Sequence, residues 1–547
     1  MPLIGQKVRL PPQPLAHQAF ESHAARDPGR LALSCGAESR SYAELNERAN
    51  QFAYYLREKG LGAGSVVGIC LDRSVEMMVS ILGTLKAGAA YAPLDSTYPA
   101  KRLDHMISQL SAMNLVTASP DTFAMVRGND AEVVDMAAIG PRLDSFPVTN
   151  PAVAVSGSDI CYVIFTSGST GVPKAVAVRH EGWFNLLNWV LTEFGLTTES
   201  SGLLMSPFGF DITQRGLMSP LFAGAALHLL PSRNFDAMMA SRVIRERRIR
   251  TLHCAPSALY LLLERAEAQG TDTLASLDYA FVGGEPIATG RVDRWATRPG
   301  NQSRLVNVYG VAECTDVATA HVLADYAGYA VRGVPIGQPI YNVDIHVLDE
   351  DLEPVAPHEV GEICIAGMAV GAGYLNDLGM NEMRFVQRDF GQGQITLYRT
   401  GDMGRIGDDG ELVYAGRADK QVKIRGMRVD LGDIEAALAS CEHVGQAVVV
   451  SGQADGSSGI SLVAFVVPPD KETPGAPLDQ RAIRLNLLRV LPAHMVPSRF
   501  FAVSEFPLSP NGKVDRGALA LRLRESTPAG DYGIPQDPEL YAQSQQT

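Results

Sequence analysis

A short segment rich in glycine and hydroxyl side chains stands between two apolar runs. It reads Thr166-Ser167-Gly168-Ser169-Thr170-Gly171-Val172-Pro173-Lys174. Glycine lets a backbone approach a ligand closely, and successive N–H groups in such a loop can bind an anion. Four hydroxyls and one lysine add further donors, so the pattern favours a polyphosphate-binding loop. A plain turn is the open alternative, because the segment lacks the Gly-Lys-Ser/Thr order of a Walker loop.

The elements that must hold this loop are predicted to be strands. The runs 161–165 and 175–178 are short and rich in β-branched or aromatic residues, which is typical of strands. Upstream, the pattern predicts a strand over 66–71, a helix over about 75–86 and an extended run over 91–94. This alternation indicates βαβ units, a largely parallel sheet and an α/β fold class.

A basic run begins near residue 416, where the character of the chain changes. The stretch from Gly416 to Arg428 carries five basic residues, although the whole chain has a net charge of −13. A solvated hairpin is the simpler interpretation of this run. Because it lies between two predicted domains, it is alternatively a candidate docking surface for an acidic partner.

The region after the basic run has the pattern of a small separate domain. Short helices and strands alternate there, over residues 433–439, 447–450, 461–467 and 482–490. The sequence therefore predicts a large domain over 1–418, a small domain over 419–525, and a polar tail or linker over 526–547.

The composition excludes several classes of function. A net charge of −13 and a pI near 5.4 argue against nucleic acid or an anionic membrane as the main partner. The seven cysteines are scattered and lack metal-ligand spacing, which fits a reducing compartment. No signal-peptide pattern opens the chain, and no apolar run approaches the ~18 residues that cross a bilayer. The sequence thus predicts a soluble, cytoplasmic protein.

An ordered set of motifs identifies a resemblance that covers about residues 15–520. The loop at 166–174 resembles the signature of the adenylate-forming superfamily. Other segments resemble its amino-acid-activating branch, the adenylation domains of nonribosomal peptide synthetases. These segments are 85–95, 307–313, 398–402, 416–435, 491–497 and 510–516. The resemblance implies a large N-terminal domain of parallel sheets and helices, followed by a small, mobile α+β domain.

The resemblance also implies a reaction in two halves. The carboxylate of an amino acid attacks the α-phosphate of ATP, which gives an aminoacyl adenylate and releases pyrophosphate. The phosphopantetheine thiol of an acyl or peptidyl carrier protein then displaces AMP and forms a thioester. The first half brings two anions together, so cations must lie where the negative charge accumulates.

By the same resemblance, individual residues acquire roles in the first half-reaction. Lys513 matches the family's C-terminal catalytic lysine, and Glu313 would hold Mg²⁺ on the phosphates. Asp402 would accept hydrogen bonds from the ribose hydroxyls with help from Arg417, and Tyr309 would lie against adenine. The loop would hold the phosphates of ATP through Thr166, Ser167, Gly168, Ser169, Thr170, Gly171 and Lys174.

The second half-reaction is expected to need a domain movement. The family rotates its small domain between the two halves, and Asp419 occupies the hinge position. Rotation would carry Lys513 away and bring the basic run near Gly426 towards the incoming thiol. Carrier proteins of this kind are acidic, so the basic run acquires a complementary partner. The sequence leaves open whether a small accessory protein is also needed.

The stretch Phe208-Gly209-Phe210-Asp211 carries the most information about the substrate. In amino-acid-activating members an aspartate at this position pairs with the ammonium group of the substrate. Asp211 therefore indicates that the substrate is an amino acid and not a fatty or aryl acid. A helix N-cap is the alternative role for Asp211. The implied pocket is formed by Asp211, Ile212, Arg215, Ser257, Phe281, Gly283, Val308, Asp316 and Val317, with Lys513 closing the set.

Arg215 is the unusual member of this pocket, and two interpretations of it are open. Unpaired, its guanidinium could bind an acidic substrate side chain through two hydrogen bonds. Paired with Asp316, it would fill the pocket and leave room for a small amino acid. We favour a small or polar substrate, and a β-amino acid remains an alternative.

Three departures from the family pattern bear on activity. Ala312 replaces the usual threonine, Val311 a proline, and Ala372 an arginine. The chain carries no Gly-x-x-Ser carrier motif after Arg516, so it is expected to load a separate carrier or to be an excised piece of a larger synthetase. The rival hypotheses are an acyl- or aryl-CoA ligase, which Asp211 argues against, and a non-catalytic adenylate-binding protein, which the Ala312 departure allows.

Overall fold

The chain forms two compact units in a computed structural model. Unit 1 comprises Met1–Ser96, Met106–Thr166 and Lys174–Asp419, and unit 2 comprises Thr97–His105, Ser167–Pro173 and Lys420–Thr547. The structure describes residues 2–110, 113–126, 131–167, 173–391, 393–418, 421–453, 460–468, 478–507, 514, 516 and 518–520. Several residues singled out above lie outside the described residues, namely Gly168, Ser169, Thr170, Gly171, Asp419 and Lys513.

The strands of unit 1 are numbered in chain order. They are β1 (Leu3–Ile4), β2 (Leu31–Cys35), β3 (Glu38–Ser41), β4 (Val66–Cys70), β5 (Ala90–Pro93), β6 (Met113–Ala118), β7 (Glu132–Asp135), β8 (Ile160–Thr166), β9 (Lys174–Arg179), β10 (Gly202–Leu204), β11 (Leu227–Leu229), β12 (Thr251–Cys254), β13 (Tyr279–Gly283), β14 (Arg304–Tyr309), β15 (Thr319–Val322), β16 (Gln338–Pro339), β17 (Val343–Leu348), β18 (Gly361–Gly367), β19 (Gly373–Tyr374), β20 (Phe385–Asp389), β21 (Gln394–Ile406) and β22 (Leu412–Arg417).

The helices are numbered in the same way. They are α1 (Ala16–Arg26), α2 (Tyr42–Glu58), α3 (Val75–Lys86), α4 (Ala100–Ser108), α5 (Pro120–Val126), α6 (Gly140–Leu143), α7 (His180–Glu193), α8 (Asp211–Phe222), α9 (Ala237–Arg247), α10 (Pro256–Ala268), α11 (Asp293–Ala296), α12 (Tyr326–Arg332), α13 (Leu378–Arg384), α14 (Leu431–Ala439) and α15 (Gln480–Leu488). Short 3₁₀ turns lie at Thr289–Arg291, Ala312–Cys314 and Ala493–Met495. Within the described part of the chain, no helix combines the length and the apolar character that a membrane span requires.

A seven-stranded sheet, in the order β19-β9-β8-β5-β4-β6-β7, carries the predicted βαβ pattern. β4 pairs in parallel with β5 and β6, and β8 pairs antiparallel with β9. α3 connects β4 to β5, and every residue of α3 except Glu76 is buried. Ser74 begins this helix by accepting a hydrogen bond from the Met77 N–H at 3.1 Å. The predicted α/β class is therefore confirmed.

A nine-stranded sheet brings the loops of the candidate site to one edge. Its order is β16-β15-β14-β13-β12-β10-β11-β2-β3, and the strands from β14 to β2 are parallel. The carboxyl ends of parallel strands meet at the same edge, where α/β proteins bind ligands. The segments that follow β10, β12, β13 and β14 therefore lie together at that edge.

A third, antiparallel sheet completes unit 1. Its order is β1-β17-β18-β21-β20, with β22 pairing along the far end of β21. β1 joins this sheet by pairing Leu3 with Ile345, more than three hundred positions away in the sequence. The long β21 and its partner β22 align Asp402 opposite Arg417.

Unit 2 includes short strands and helices over the basic run and the region that follows it. β23 (Gln421–Ile424) and β24 (Met427–Asp430) form a hairpin, and β25 (Gln446–Gln453) pairs with β26 (Ile460–Val467), which pairs with β27 (Arg499–Ala502). Arg425 (φ +52°) and Gly426 (φ +80°) form the two-residue turn, as a type I′ connection requires. The apolar faces of α14, α15 and these strands form one core.

Buried histidines in unit 1 should make the fold sensitive to acid. Burial lowers the pKa of His180 and of His228 to about 4, and it holds the pKa of His17 well below its usual value. Below the pKa of about 6.5 in the unfolded chain, the unfolded state binds more protons than the folded state. The free energy of unfolding should therefore fall between pH 6.5 and 4, by about 1 kcal/mol per pH unit for each histidine.

Denaturant titrations at a series of pH values between 7.5 and 5 measure this slope. His180→Gln should flatten it, whereas His443→Gln, at an exposed position, should leave it unchanged. An identical slope in the wild-type protein and in His180→Gln would show that His180 does not contribute to the acid sensitivity.

Candidate active site

A buried carboxylate in the antiparallel sheet is held by two close donors. Asp402 is fully buried, and it accepts hydrogen bonds from the Tyr309 hydroxyl at 2.8 Å and from Arg417 Nη1 at 2.5 Å. The register of β21 and β22 sets Arg417 opposite Asp402, and Tyr309 is the last residue of β14. The structure thus brings together three residues that the sequence assigned to the nucleoside.

These donors leave part of the carboxylate available. An ionised aspartate offers about four acceptor positions, of which Tyr309 and Arg417 take one each. The Tyr414 hydroxyl, at 3.5 Å, makes only a long third contact. Burial, and then the neighbouring Asp402, raise the pKa of Tyr309 well above its usual value, so the phenol stays protonated and donates. Asp402 can therefore still accept from hydroxyls such as those of a ribose.

Thr166 and Lys174 are the first and last residues of the glycine-rich segment. Thr166 ends β8, Lys174 begins β9, and the two are partners in the antiparallel register. Lys174 Nζ lies 3.7 Å from an oxygen of Asp377 and 5.7 Å from the centre of the Tyr374 ring. Its side chain is largely buried, at 11% exposure, so β9 begins with a shielded cation. Ser167 belongs to unit 2.

Glu313 is a second buried carboxylate, on the 3₁₀ turn after β14. Its Oε1 accepts a hydrogen bond from the Tyr374 hydroxyl at 2.6 Å, and its side chain has no solvent exposure. The same hydroxyl lies 3.1 Å from that of Tyr398. Because Tyr374 contacts both Glu313 and Lys174, it links the carboxylate to the cation.

The donor set around Glu313 fits a magnesium ion that binds mainly through phosphates and water. Among the described residues, no group of three or more histidines, cysteines, aspartates or glutamates lies close enough together to hold a metal alone. Mg²⁺ typically takes one or two carboxylates and completes its shell with phosphate oxygens and water. One buried glutamate, Glu313, satisfies the protein's share of that requirement.

Asp211 is the first residue of α8. Phe210 holds the N-cap position, and Asp211 Oδ1 accepts from the Ile212 N–H at 2.8 Å. The N-cap alternative for Asp211 is therefore not what the structure shows. Asp211 is half-buried, with carboxylate oxygens that can accept from an ammonium group.

Arg215, one helical turn later, is completely buried and paired. Its Nε donates to Asp316 Oδ2 at 2.6 Å, and its Nη1 lies 2.6 Å from His253 Nδ1. Its guanidinium carbon lies 5.9 Å from the centre of the Phe281 ring. Of the two interpretations that the sequence left open, the paired one is what the structure shows.

His253 is the contact that the sequence analysis missed. It lies near the end of β12, and its ring stacks on Phe281 with centroids 4.7 Å apart and planes at 8°. The only signal in the sequence is a single histidine within an apolar run. Such a histidine is usually a core residue. Ser257, the residue assigned instead, donates its backbone N–H to Glu285 at 3.1 Å.

The remaining residues that the resemblance assigns to the substrate pocket are mostly buried. Val308 and Val317 are buried, and Ile212 is half-buried. Gly283 pairs with Val308, and a Cβ at Gly283 would come within 2.5 Å of the Val308 carbonyl oxygen. Only glycine allows β13 and β14 to approach at this point.

Comparisons with known proteins identify the family of the chain. Residues 20–375 match the AMP-binding enzyme family, and residues 433–513 match the AMP-binding enzyme C-terminal domain. The chain is 39% identical over 525 residues to tyrocidine synthase 3 of Brevibacillus parabrevis, an alignment that covers 95% of this chain and 8% of that protein. It is 33% identical over 506 residues to bacitracin synthase 1 of Bacillus licheniformis, covering 92% and 9%. The chain thus spans less than a tenth of the length of either relative.

A solved structure extends the likeness to the fold. PA1221, an NRPS protein containing adenylation and PCP domains, matches with a TM-score of 0.79 at 26% identity, covering 93% of this chain and 84% of that chain. An artificially fused adenylation–PCP didomain from Klebsiella oxytoca shares the fold, with a TM-score of 0.80 at 24% identity and coverage of 91% and 94%. The resemblance found in the sequence is confirmed: the chain belongs to the AMP-binding enzyme family, as an adenylation domain of the nonribosomal peptide synthetase type, an amino-acid-adenylating ligase.

Proposed function

We propose that the protein activates an amino acid with ATP and Mg²⁺ as its aminoacyl adenylate, and then transfers it to the phosphopantetheine thiol of a separate carrier protein. The observation that carries this proposal is the pair of carboxylates in unit 1. Asp402 is buried with acceptor capacity for ribose hydroxyls, and Asp211 stands at the head of α8 with acceptor capacity for an ammonium group.

In the first step, a carboxylate oxygen of the amino acid attacks the α-phosphorus of ATP and pyrophosphate leaves. Lys174 would neutralise charge at the pyrophosphate end, and Asp402 would fix the ribose. Mg²⁺ bound through Glu313 would neutralise further charge on the phosphates. Lys513 lies outside the described residues. On the family resemblance, we propose that its ammonium group lies between the attacking carboxylate and the α-phosphate.

Tyr374 should tune the metal dependence through Glu313. Tyr374→Phe removes the hydroxyl that donates to Glu313 at 2.6 Å and leaves the ring in place. A buried carboxylate that loses a donor is less well oriented, so the Mg²⁺ concentration for half-maximal activity should rise about 3- to 10-fold. Mg²⁺ titrations of pyrophosphate exchange, and of the thermal shift given by ATP, measure this change.

Tyr42→Phe is the matched control for that experiment. The Tyr42 hydroxyl is equally buried, but it donates to the carbonyl of Ala225 at 2.8 Å. The Tyr42→Phe substitution should lower thermal stability without altering the Mg²⁺ concentration needed for half-maximal activity. Equal effects of the two variants on Mg²⁺ would contradict the role given to Tyr374.

Transfer to the carrier should depend on the basic hairpin of unit 2. Arg425 is exposed at the tip of the hairpin, whereas Arg428 is half-buried and donates to Gln421 at 2.5 Å. Arg425→Glu should therefore lower kcat/KM for loading an acidic carrier by about 10-fold at low salt, with pyrophosphate exchange within twofold of wild type. Arg294→Glu, at a side chain 87% exposed in unit 1, is the charge-matched control. Equal slowing of both half-reactions would contradict this docking surface.

Pyrophosphate exchange with three classes of acid tests the proposal as a whole. Amino acids should support exchange, whereas fatty acids and aryl acids should not. Exchange with fatty or aryl acids alone would favour an acyl- or aryl-CoA ligase. Nucleotide binding without exchange with any acid would favour a non-catalytic adenylate-binding protein.

A further inference from the structure

The segment that leads from β10 into α8, residues 205–210, is held by side chains along its length. It lies outside any strand or helix, so side-chain donors decide how firmly its carbonyls are held. Arg73 Nη2 donates to the first two carbonyls of the segment, at 2.8 and 3.0 Å. The Thr213 hydroxyl donates to the third, that of Pro207, at 2.6 Å. We call residues 205–210 the entry segment of α8.

Gln214 holds the part of the entry segment that lies next to Asp211. Its side chain is fully buried, and its Nε2 donates to the carbonyls of Phe208 and Phe210, at 2.9 and 2.8 Å. Because a carbonyl only accepts, these two contacts fix which end of the amide is the nitrogen. Gln214 therefore uses both of its amide hydrogens on the backbone that leads directly into Asp211.

Tyr91 fixes the oxygen end of the same amide. Its hydroxyl donates to Gln214 Oε1 at 2.8 Å, and both side chains have no solvent exposure. Burial raises the pKa of Tyr91 well above its usual value, so the phenol stays protonated and remains a donor. The Tyr91 ring packs against Tyr162 and Trp183, with ring centroids 5.7 and 6.4 Å away. A donor held within β5 thus orients the Gln214 amide.

The start of α8 depends on Gln214 because it lacks an ordinary cap. The N-cap residue is Phe210, whose side chain makes no capping hydrogen bond, whereas a serine or aspartate there would help to fix the first turn. The Phe210 carbonyl belongs to the peptide bond that joins Phe210 to Asp211. By holding that carbonyl, Gln214 fixes the backbone from which the Asp211 side chain projects.

Packing alone does not account for a glutamine at position 214. Every residue of α8 from Thr213 to Phe222 is buried, so an apolar side chain would serve the packing of the helix. Burying an amide costs free energy unless its hydrogen bonds are made. Gln214 makes three of them, one to Tyr91 and two to the entry segment. These contacts point to a role in holding the segment that carries Asp211.

We propose that Gln214, oriented by Tyr91, is a positioning residue that sets the Asp211 carboxylate where the substrate's ammonium group binds. This inference rests on the proposed function, which makes that ammonium group the partner of Asp211. Placement matters because a shift of about 1 Å in a binding group can cost about 10²-fold in rate. Loss of the Gln214 amide should therefore weaken recognition of the ammonium group and leave ATP binding unchanged.

Pyrophosphate exchange by the full chain tests the inference. The substrates are the proteinogenic amino acid that exchanges fastest in a panel of all of them, and the α-hydroxy acid with the same side chain. Gln214→Met keeps the size of the side chain and removes its three hydrogen bonds. It should raise KM for the amino acid about 10-fold, and lower the preference for the amino acid over the α-hydroxy acid at least about fivefold. KM for ATP should stay within about twofold of wild type.

Asn185→Leu is the matched control for Gln214→Met. Asn185 is also a fully buried amide, and it donates to the Tyr341 carbonyl at 2.6 Å and accepts from Asn342 at 2.9 Å. Its loss should lower thermal stability without changing the preference for the amino acid. An equal fall in preference in both variants would show that Gln214 acts only through general stability, and would overturn the inference.

A double-mutant cycle tests whether Gln214 acts through Asp211. In Asp211→Asn the carboxylate that Gln214 positions is gone, so adding Gln214→Met should lower kcat/KM less than about twofold. If Gln214→Met does not fold, Tyr91→Phe replaces it in the cycle, and should lower the preference for the amino acid at least about threefold. An unchanged preference, or equal losses with and without Asp211, would overturn the inference while leaving amino-acid activation intact. Exchange with no amino acid in the wild-type protein would instead contradict the proposed function.

Discussion

Replacing Asp211 with asparagine should lower kcat/KM for the amino acid by about 10²- to 10³-fold. Removing one partner of a buried ion pair costs about 3–5 kcal/mol, because the other charge is left without compensation. Here the uncompensated charge is the substrate's ammonium group, so the loss should appear in substrate use. Amino-acid-dependent pyrophosphate exchange measures it.

A matched substrate and a matched variant isolate the ammonium contact. The wild-type protein should strongly prefer an amino acid over the corresponding α-hydroxy acid, and Asp211→Asn should lose most of that preference. Asp293→Asn is the control, since Asp293 is also the first residue of a helix but is exposed. A preference for the amino acid that survives in Asp211→Asn would show that the ammonium binds elsewhere.

Replacing Asp402 with asparagine should weaken ATP binding by about 10- to 100-fold and also lower stability. The side chains of Asp402 and Arg417 are 1% and 7% exposed, so the substitution leaves a buried guanidinium opposite a neutral amide. Breaking such a pair costs about 3–5 kcal/mol. Calorimetric titration with ATP and thermal unfolding measure the two effects separately.

Deoxynucleotides separate the ribose contact from the loss of stability. The wild-type protein should bind 2′- or 3′-deoxyATP more weakly than ATP, whereas Asp402→Asn should bind them equally. Glu362→Gln is the control, because it breaks the ion pair with Arg399, which joins strands of the same sheet. If Asp402→Asn still distinguishes ATP from deoxyATP, another residue recognises the ribose.

The elements around the loop were predictable because their determinants are local. The strand over 66–71, the helix over 75–86 and the strand over 161–165 appear within a residue or two of their predicted bounds. Each has an apolar run or periodicity that only one local structure can bury. The pairing of β1 with β17 was not predictable, because a two-residue strand carries no local signal and its partner lies near residue 345.

The candidate site was predictable in its residue types but not in its pairings. Asp316 lies 101 positions from Arg215, and whether they meet depends on the packing of α8 against the segment after β14. His253 escaped notice because a histidine in an apolar strand looks like an ordinary core residue. Its role emerges only from the guanidinium beside it. The roles given to the site residues remain predictions that the experiments above test.

Oxygen transfer tests the central claim, activation of a carboxylate through an acyl adenylate, most directly. The protein is incubated with ATP, Mg²⁺, its amino acid labelled with ¹⁸O in the carboxylate, and hydroxylamine as the acceptor. Attack of a carboxylate oxygen on the α-phosphorus, followed by displacement at the carbonyl carbon, should leave one ¹⁸O in the AMP released. Label in inorganic phosphate together with ADP, or AMP without label, would contradict the account.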